Sequence, residues 1–421
     1  MIQIKRSNTP VYFQVIAKPT GAVCNLDCKY CYFLSKEILY PESTFRMSEE
    51  TLNEYIKQLF ELQQGARISI NWQGGEPTLM GLDFFNHAIE LVDSYKHPDI
   101  QITHTIQTNG TLIDAEWCKF FHRNGFLVGL SLDGPAEVHN AYRLDKAGKP
   151  TYEKVMRAAR LLKQYNVDFN ILCTVHAANA RHPLEVYRFF RDKVKADFIQ
   201  FIPIVERVTP EIQEIANKGW GETTYDRPLY KQQGNLVTER SITAEQWGQF
   251  LIAIFDEWIR YDVGKMFVQL FESALASWMD QPASLCVFGE TCGTGLVLEH
   301  NGDLYSCDHF VEPDFFLGNI MEKHIREVAA FEKHCKFGND KFDMLPRYCL
   351  ECPVLFACYG ECPRNRFIQT PDGEPGLNYL CTGYKSFFEH IDMPMKIMAD
   401  LLQQGQHPAL VMKILAEKDR H

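Results

Sequence analysis

The chain has 421 residues with 43 basic and 54 acidic side chains, and its net charge of -11 excludes a general attraction to nucleic acid or to an anionic lipid surface. That length suggests two or three domains and is ample for a sizeable core. Met1 to Pro10 lacks the apolar segment of a secretion signal, no apolar run is long enough to span a bilayer, and 14 cysteines point to metal or redox chemistry, so the expected setting is the reducing cytoplasm.

The first feature in chain order is the run Cys24-Asn25-Leu26-Asp27-Cys28-Lys29-Tyr30-Cys31. Three thiolates on one short loop can close around one face of a 4Fe-4S cluster but ligate only three irons, which leaves the fourth open for chemistry. A zinc loop or a redox-disulfide loop is the plainer reading. Structural zinc takes four ligands, however, and no His or fourth Cys lies nearby. With Tyr30 just before the last cysteine, the run resembles the Cys-x3-Cys-x-aromatic-Cys signature of the radical S-adenosylmethionine (SAM) enzymes without departure. The resemblance implies that the amino and carboxylate groups of SAM chelate the open iron, and that one electron splits SAM into methionine and a 5'-deoxyadenosyl radical.

Ser48 followed by Glu49 and Glu50 predicts a helix start, the helix running to about Gln64 before Gly65. Arg67 to Trp72 predicts a strand, Leu82 to Tyr95 a helix, Gln101 to Thr108 a strand, Asp114 to Asn124 a helix and Leu127 to Leu132 a strand. Thr151 to Tyr165 then reads as helix, Asp168 to Val175 as strand, Leu184 to Val194 as helix and Phe198 to Ile202 as strand. Such alternation predicts an α/β fold with a parallel sheet wrapped by helices. Counted from the strand before Cys24, it fits a partial (β/α)6 barrel of TIM type better than a closed eight-stranded one, a reading that leans partly on the radical SAM family.

Barrels of this kind build their sites at the carboxyl ends of the strands. The second strand ends in Gln73-Gly74-Gly75-Glu76-Pro77, where two glycines allow close backbone approach and the carboxylate can accept hydrogen bonds from an ammonium group. Taken alone, such a run is more often only a turn; after the cysteine loop it resembles the Gly-Gly-Glu-Pro motif with which radical SAM enzymes hold the amino group of SAM. The next strands end in Gln107-Thr108-Asn109-Gly110 and Ser131-Leu132-Asp133-Gly134, with Arg143 following. By resemblance Ser131 and Arg143 contact the ribose or carboxylate of SAM, and Val205 lines the adenine pocket. For Val205 plain core packing is the other reading.

Pro210 to Arg240 is polar and rich in Gly, Thr and Gln, and predicts a connecting segment with little regular structure. Thr243 and Gln246 make a capping box for a helix to about Tyr261, and Met266 to Met279 suggests another. The expected division is a barrel with its connecting segment over 1–240, a helical linker over 241–285, a cysteine-rich domain over 286–391 and a helical tail over 392–421. Eight cysteines in the third part suffice for two fully ligated 4Fe-4S clusters, with two zinc knuckles as the alternative. The run Cys349-x2-Cys352-x5-Cys358-x3-Cys362 resembles the SPASM module found behind many peptide-modifying radical SAM barrels. That resemblance assigns Cys286, Cys292, Cys307 and Cys362 to an auxiliary cluster near the active site, and Cys349, Cys352, Cys358 and Cys381 to a farther one. Cys118, Cys173 and Cys335 remain, and the first two fit small buried apolar positions. Full ligation leaves an auxiliary cluster to pass electrons rather than to bind substrate. Asp308, beside Cys307, can take a proton as an electron leaves toward that cluster, although an Asp in a loop is usually only a solvated side chain.

The segments from Ala17 to Tyr32, Gln73 to Leu79, Gln107 to Asp114 and Gly129 to Pro135, together with the Cys307-Asp308 pair, resemble the anaerobic sulfatase-maturating enzymes, from about Val11 to about Ile391. The resemblance implies oxidation of an active-site Cys or Ser of a sulfatase, within a Cys/Ser-x-Pro/Ala-x-Arg motif, to Cα-formylglycine. The deoxyadenosyl radical would take a β hydrogen, Asp308 the side-chain proton, and the nearer auxiliary cluster the second electron. The implied cofactors are three 4Fe-4S clusters and SAM. The implied partners are a sulfatase polypeptide and an electron donor such as flavodoxin or ferredoxin, with neither nucleic acid nor membrane. Two other readings stay open: a SPASM enzyme that forms thioether or carbon-carbon cross-links in a ribosomal peptide, and an iron-sulfur electron carrier, which would need neither Gln73–Pro77 nor an open three-Cys site. Asp392 to His421 carries no readable signal.

Overall fold

The computed structural model of the chain describes residues 13–62 and 67–418. Six parallel strands lie side by side in chain order: β1 (Gln14–Lys18), β2 (Arg67–Trp72), β3 (Gln101–Thr108), β4 (Phe126–Ser131), β5 (Phe169–Val175) and β6 (Phe198–Pro203). The helices α1 (Glu49–Leu62), α2 (Leu82–Tyr95), α3 (Ala115–Arg123), α4 (Ala136–Asn140), α5 (Tyr152–Gln164) and α6 (Pro183–Arg188) connect them. The expected end of α1 at Gln64 and Gly65 lies outside the described residues. Helix starts follow side-chain chemistry: the Ser48 hydroxyl accepts from Thr51 N at 3.1 Å and the Asp114 carboxylate from Trp117 N at 3.0 Å.

Alternation along the strands separates two faces. Ile68, Ile70 and Trp72 of β2 and Val128 and Leu130 of β4 join Tyr55, Phe85 and Phe121 in the main core beneath the helices. The other face is polar: Asn71 and Thr105, paired in register, hydrogen-bond at 2.9 Å, as do Gln73, just beyond β2, and Gln107, near the end of β3. A lumen lined this way is not filled by layers of branched apolar side chains, and it leaves room at the carboxyl ends of the strands.

Beyond β6 the expected connecting segment carries a small ribbon, β7 (Arg207–Val208) with β8 (Leu236–Val237), and the short helix α7 (Gln213–Lys218). The predicted capping box is formed at α8 (Ala244–Tyr261), where Thr243 Oγ1 accepts from Gln246 N at 3.2 Å and Gln246 Oε1 from Thr243 N at 3.0 Å. The helix expected through Val194 does run to that residue, widening into π-helical turns over Phe189–Val194 before it stops at left-handed Lys195. Another helix prediction needs correction. The one expected from Met266 opens as a strand, β9 (Phe267–Val268), because these residues pair with β6 before α9 (Gln269–Trp278) begins.

The largest departure from a barrel with an appended domain lies at the first strand. β10 (Gly295–Glu299) runs parallel to β1 from Gln14 against Gly295 to Lys18 against Glu299, and β11 (Asp303–Tyr305) and β12 (Phe316–Asn319) extend it antiparallel. The result is one ten-stranded sheet in the order β12-β11-β10-β1-β2-β3-β4-β5-β6-β9. The sheet therefore crosses the boundary expected at residue 286. The boundary expected at 391 falls inside the helix Cys381–Gln403, which continues into the tail and is followed by Leu410–Lys418. Among the described residues no helix is long and apolar enough to cross a membrane.

The long helix rests on α8 with backbone against backbone. A Cβ at Gly383 would sit 2.0 Å from the Ala244 carbonyl oxygen, and one at Gly248 would sit 2.9 Å from Gly383 Cα. Gly383→Ala is therefore expected to lower stability by about 1–3 kcal/mol through overpacking, read as a lower denaturation midpoint of the reconstituted protein. Gly295→Ala, whose Cβ meets nothing within 4 Å, should leave the midpoint within a few tenths of a kcal/mol.

Candidate active site

Cys24, Cys28 and Cys31 lie on the loop that leaves β1, and the end of β2 holds that loop in place. Gly75 N donates to Gly21 O at 2.7 Å and Glu76 N to Val23 O at 2.9 Å. A Cβ on Gly75 would lie 2.0 Å from Val23 O, so only glycine lets the two backbones meet. The Cys24 sulfur accepts from Leu26 N at 3.3 Å and faces Asn109 Nδ2 at 3.6 Å. All three sulfurs line one cavity of about 230 Å³ at the carboxyl ends of the strands. Burial pushes their thiols up, Cys28 to about 12, so a metal must supply the charge that deprotonates them. Among the described residues no three His, Cys, Asp or Glu side chains converge as they would around a single metal ion. A cubane, whose thiolates stand at separated corners, asks for no such convergence. Three thiols and N–H donors aimed at Cys24, all opening on one cavity, form a donor set that suits a 4Fe-4S cluster with one exposed iron.

Behind the loop, Asp133 gathers a buried network. It accepts from Tyr30 Oη at 2.5 Å, Arg143 Nε at 2.8 Å, Arg143 Nη2 at 3.2 Å and Thr174 N at 2.9 Å. Burial presses the Asp133 carboxyl up, but Arg143 and then His176 outweigh it and hold the group well below its ordinary range. The Tyr30 ring stacks on His176 at 5.6 Å. Tyr30, Gly74, Gly75, Ser131, Arg143 and Val205 all line the cavity. Val205 also belongs to the apolar core, so its two readings coincide. Arg143, expected to contact SAM, has Nε and Nη2 committed to Asp133.

The Glu76 carboxylate, expected to accept from the amino group of SAM, is fully buried and does not line the cavity. Oε1 accepts from Thr78 N, Thr78 Oγ1 and Thr108 Oγ1, and Oε2 from Asn109 N at 2.8 Å. The charge ties the end of β2 to the end of β3, and it acts on the cavity through Gly74 and Gly75.

From the other half of the chain, β10 and β11 lead to Cys307 and then to Asp308, which lines the same cavity. The Lys18 ammonium forms an ion pair with Asp308 Oδ1, and Tyr32 Oη donates to Oδ2 at 3.0 Å. Lys18 is 2 % exposed and lies 3.6 Å from the centre of the Phe33 ring. Burial raises the Asp308 carboxyl, Lys18 and then His309 lower it further, and it remains ionised through the neutral range. Burial also drops neighbouring His309 to about 3, so that ring is neutral. The sequence reading passed over Lys18, Tyr32, Asp133 and Arg364 as site residues. Lys18 offered a signal, as a cation at the carboxyl end of an apolar strand.

The remaining cysteines fall into two groups. Cys286, Cys292 and Cys362 share the electrostatic surroundings of Lys341, and Cys307 feels Cys362 and Cys286. The Lys341 ammonium donates to the carbonyls of Cys286 at 2.8 Å, Val287 at 2.9 Å and Gly289. Cys349, Cys352, Cys358 and Cys381 line a second, smaller cavity with Tyr348 and Tyr384. Cys118 and Cys173 are fully buried in the core, away from both groups.

The sequence matches a model of the radical SAM superfamily over residues 19–190 and one of the SPASM iron-sulfur cluster-binding domain over residues 286–353. A serine-type anaerobic sulfatase-maturating enzyme of Bacteroides thetaiotaomicron is 44% identical over 409 residues, covering 97% of this chain and 96% of that protein. A cysteine-type enzyme of Clostridium perfringens is 35% identical over 379 residues, covering 89% and 95%. The structure of native anSMEcpe with bound AdoMet superposes with a TM-score of 0.78 at 34% identity, over 92% of this chain and 99% of that one. Streptococcus suis SuiB bound to its precursor peptide SuiA gives a TM-score of 0.59 at 15% identity, over 90% of this chain and 78% of that one, a likeness of fold alone.

Anaerobic reconstitution is expected to load about twelve irons per chain, as three cubanes. Cys24→Ala should reduce that to about eight and abolish SAM cleavage. An iron content near four in the native protein, or zinc in its place, would contradict this arrangement.

Proposed function

The chain belongs to the anaerobic sulfatase-maturating enzymes, and on that premise we propose how its own residues oxidise an active-site Cys or Ser of a sulfatase to Cα-formylglycine. One observation carries the reading: Asp308, from the cysteine-rich half, meets Lys18, Tyr32 and the three-cysteine loop around a single cavity. Cys24, Cys28 and Cys31 would hold a cluster that, with SAM, would supply the radical for removal of a β hydrogen, and Cys286, Cys292, Cys307 and Cys362 would hold one that would supply an acceptor for the second electron. A further cluster on Cys349, Cys352, Cys358 and Cys381 completes the set. Tyr30, Gly74, Gly75, Ser131, Arg143 and Val205 line the SAM pocket, and Glu76 supports it by fixing β2 to β3.

Asp308 receives the thiol or hydroxyl proton of the substrate residue. It stands ready as a carboxylate because Lys18 offsets its charge, and the hydrogen bond from Tyr32 fixes its plane. Proton and electron leave the substrate on neighbouring paths, since Asp308 directly follows the ligand Cys307. The partner is a sulfatase peptide carrying the Cys/Ser-x-Pro/Ala-x-Arg motif. A one-electron donor of the flavodoxin or ferredoxin class reduces the enzyme, in a cytoplasm that keeps the ligand thiolates reduced. Relatives at this identity favour neither a peptide cross-linking enzyme nor an electron carrier.

Incubation of the reduced enzyme with SAM and Cys and Ser versions of a sulfatase-motif peptide is expected to yield an aldehyde, detected by mass and by an aldehyde reagent. A cross-linked peptide that is two hydrogens lighter and inert to that reagent would overturn the assignment. The role of Asp308 needs a paired variant, because Asp308→Asn alone strands a buried ammonium at a cost of about 3–5 kcal/mol. Asp308→Asn with Lys18→Met is expected to keep its iron and cleave SAM while aldehyde formation falls about 10²- to 10⁴-fold. A native rate in that double variant would show that the proton leaves by another route.

A further inference from the structure

Four carboxylates in and beside the cavity already have a cation. Asp133 pairs with Arg143 at 2.8 Å, Asp308 with Lys18, Glu206 with Arg240 at 2.9 Å and Glu312 with Lys36 at 3.5 Å. Arg364 stands apart. It lines the cavity, its Nε is buried with no hydrogen-bond partner, and among the described residues no carboxylate pairs with it. Glu361, three positions earlier, is taken up by Asn365 at 3.0 Å and Asn378 at 2.6 Å. A guanidinium cannot shed its proton, and its buried Nε has no hydrogen-bond partner. Glu361 favours the charge from a distance without pairing with it, so a further negative group beside Arg364 would be stabilised there.

The turn Pro363–Asn365 places Arg364 on the cavity wall, two residues after Cys362 of the group Cys286, Cys292, Cys307 and Cys362. Among the groups that favour its charge, the Cys362 sulfur comes first, followed by Tyr32 and then Glu361. On the same four-cysteine group lies Lys341, whose ammonium is held by three backbone carbonyls and by no carboxylate. A 4Fe-4S cluster on four thiolates is negatively charged and gains one more negative charge on reduction, and nearby charge is one determinant of its potential.

We propose that Arg364, with Lys341 behind it, raises the reduction potential of the nearer auxiliary cluster and makes it the sink for the electron given up by the substrate radical. This rests on the ligand assignment made under the proposed function. The balance is simple: the substrate carbon radical loses its side-chain proton to Asp308 and one electron to the cluster, and a carbon-sulfur or carbon-oxygen double bond forms. Arg364 stabilises the added negative charge as it arrives. Its position on the cavity wall puts that stabilisation on the side from which the electron comes.

The test is a redox titration of the fully reconstituted enzyme, followed by electron paramagnetic resonance, for the native chain, Arg364→Gln and Arg364→Lys. In Arg364→Gln one auxiliary midpoint is expected to fall by the equivalent of at least a tenfold change in the reduction equilibrium, about 59 mV for one electron. The other midpoints should stay in place, and more SAM should be consumed per aldehyde formed. Arg364→Lys should restore most of the shift, because it keeps the charge and changes the shape. Unmoved midpoints at full iron content would overturn the inference, as would a raised KM for the peptide with every midpoint native, which would make Arg364 a substrate clamp. An iron content near eight in the native chain would instead overturn the ligand assignment itself, and this inference with it.

Discussion

The pairing of β10 with β1 is the constraint on which the site depends. Five residues of each strand lie in parallel register, ending with Lys18 beside Glu299. Parallel strands present their carboxyl ends on the same side, so the chain leaving β10 emerges at the mouth of the barrel, where the cysteine loop leaves β1. The turn between β10 and β11 then returns the chain, and Cys307 and Asp308 arrive over Lys18. No flexible docking of one domain on another is needed to complete the cavity. The covalent sheet sets the distance between the base, the three-cysteine loop and the cysteines of the second half.

Charge is handled in two ways within this frame. Asp133, Glu76 and Asp308 are each buried or nearly so, and each is neutralised locally by a cation or by a fan of N–H and hydroxyl donors. These contacts give the pocket its shape, and the paired cations keep Asp133 and Asp308 ionised. Arg364 and Lys341 follow the opposite rule, being cations without carboxylates beside a set of thiols. A protein that pairs four carboxylates with four cations and leaves Arg364, Lys341 and Arg366 in the electrostatic surroundings of the cysteines has placed positive charge at one spot.

Much of this was legible in the sequence, and the reasons differ by element. The six barrel strands were readable because their period-two alternation is local, as in Ile68-Ser69-Ile70, and the α8 start because its capping box needs only Thr243 and Gln246. The cysteine spacings carried the cluster reading in the same way. What escaped depends on partners far apart in sequence. Nothing local in Gly295–Glu299 says that its neighbour is Gln14–Lys18, and without that pairing Lys18 is only a lysine before a proline. The tie from Glu76 to Thr108 and Asn109 becomes visible only when β3 is laid beside β2. Phe267–Val268 reads as helix until β6 offers it an edge.

The interleaving of the auxiliary ligands has a topological meaning. With the two sets proposed above, the segment from Cys286 to Cys362 is closed by one cluster and encloses Cys349, Cys352 and Cys358 of the other. The segment closed by the second, from Cys349 to Cys381, encloses Cys362 in turn. The two closures overlap like links of a chain, so neither can be cut out as a module that leaves the other whole. Because Cys381 also begins the helix seated on α8, the second link is fastened to the barrel flank at Gly248 and Gly383. Loss of either cluster would loosen that flank, and iron supply would thus govern the mechanical integrity of the carboxyl-terminal third of the molecule as well as its electron traffic.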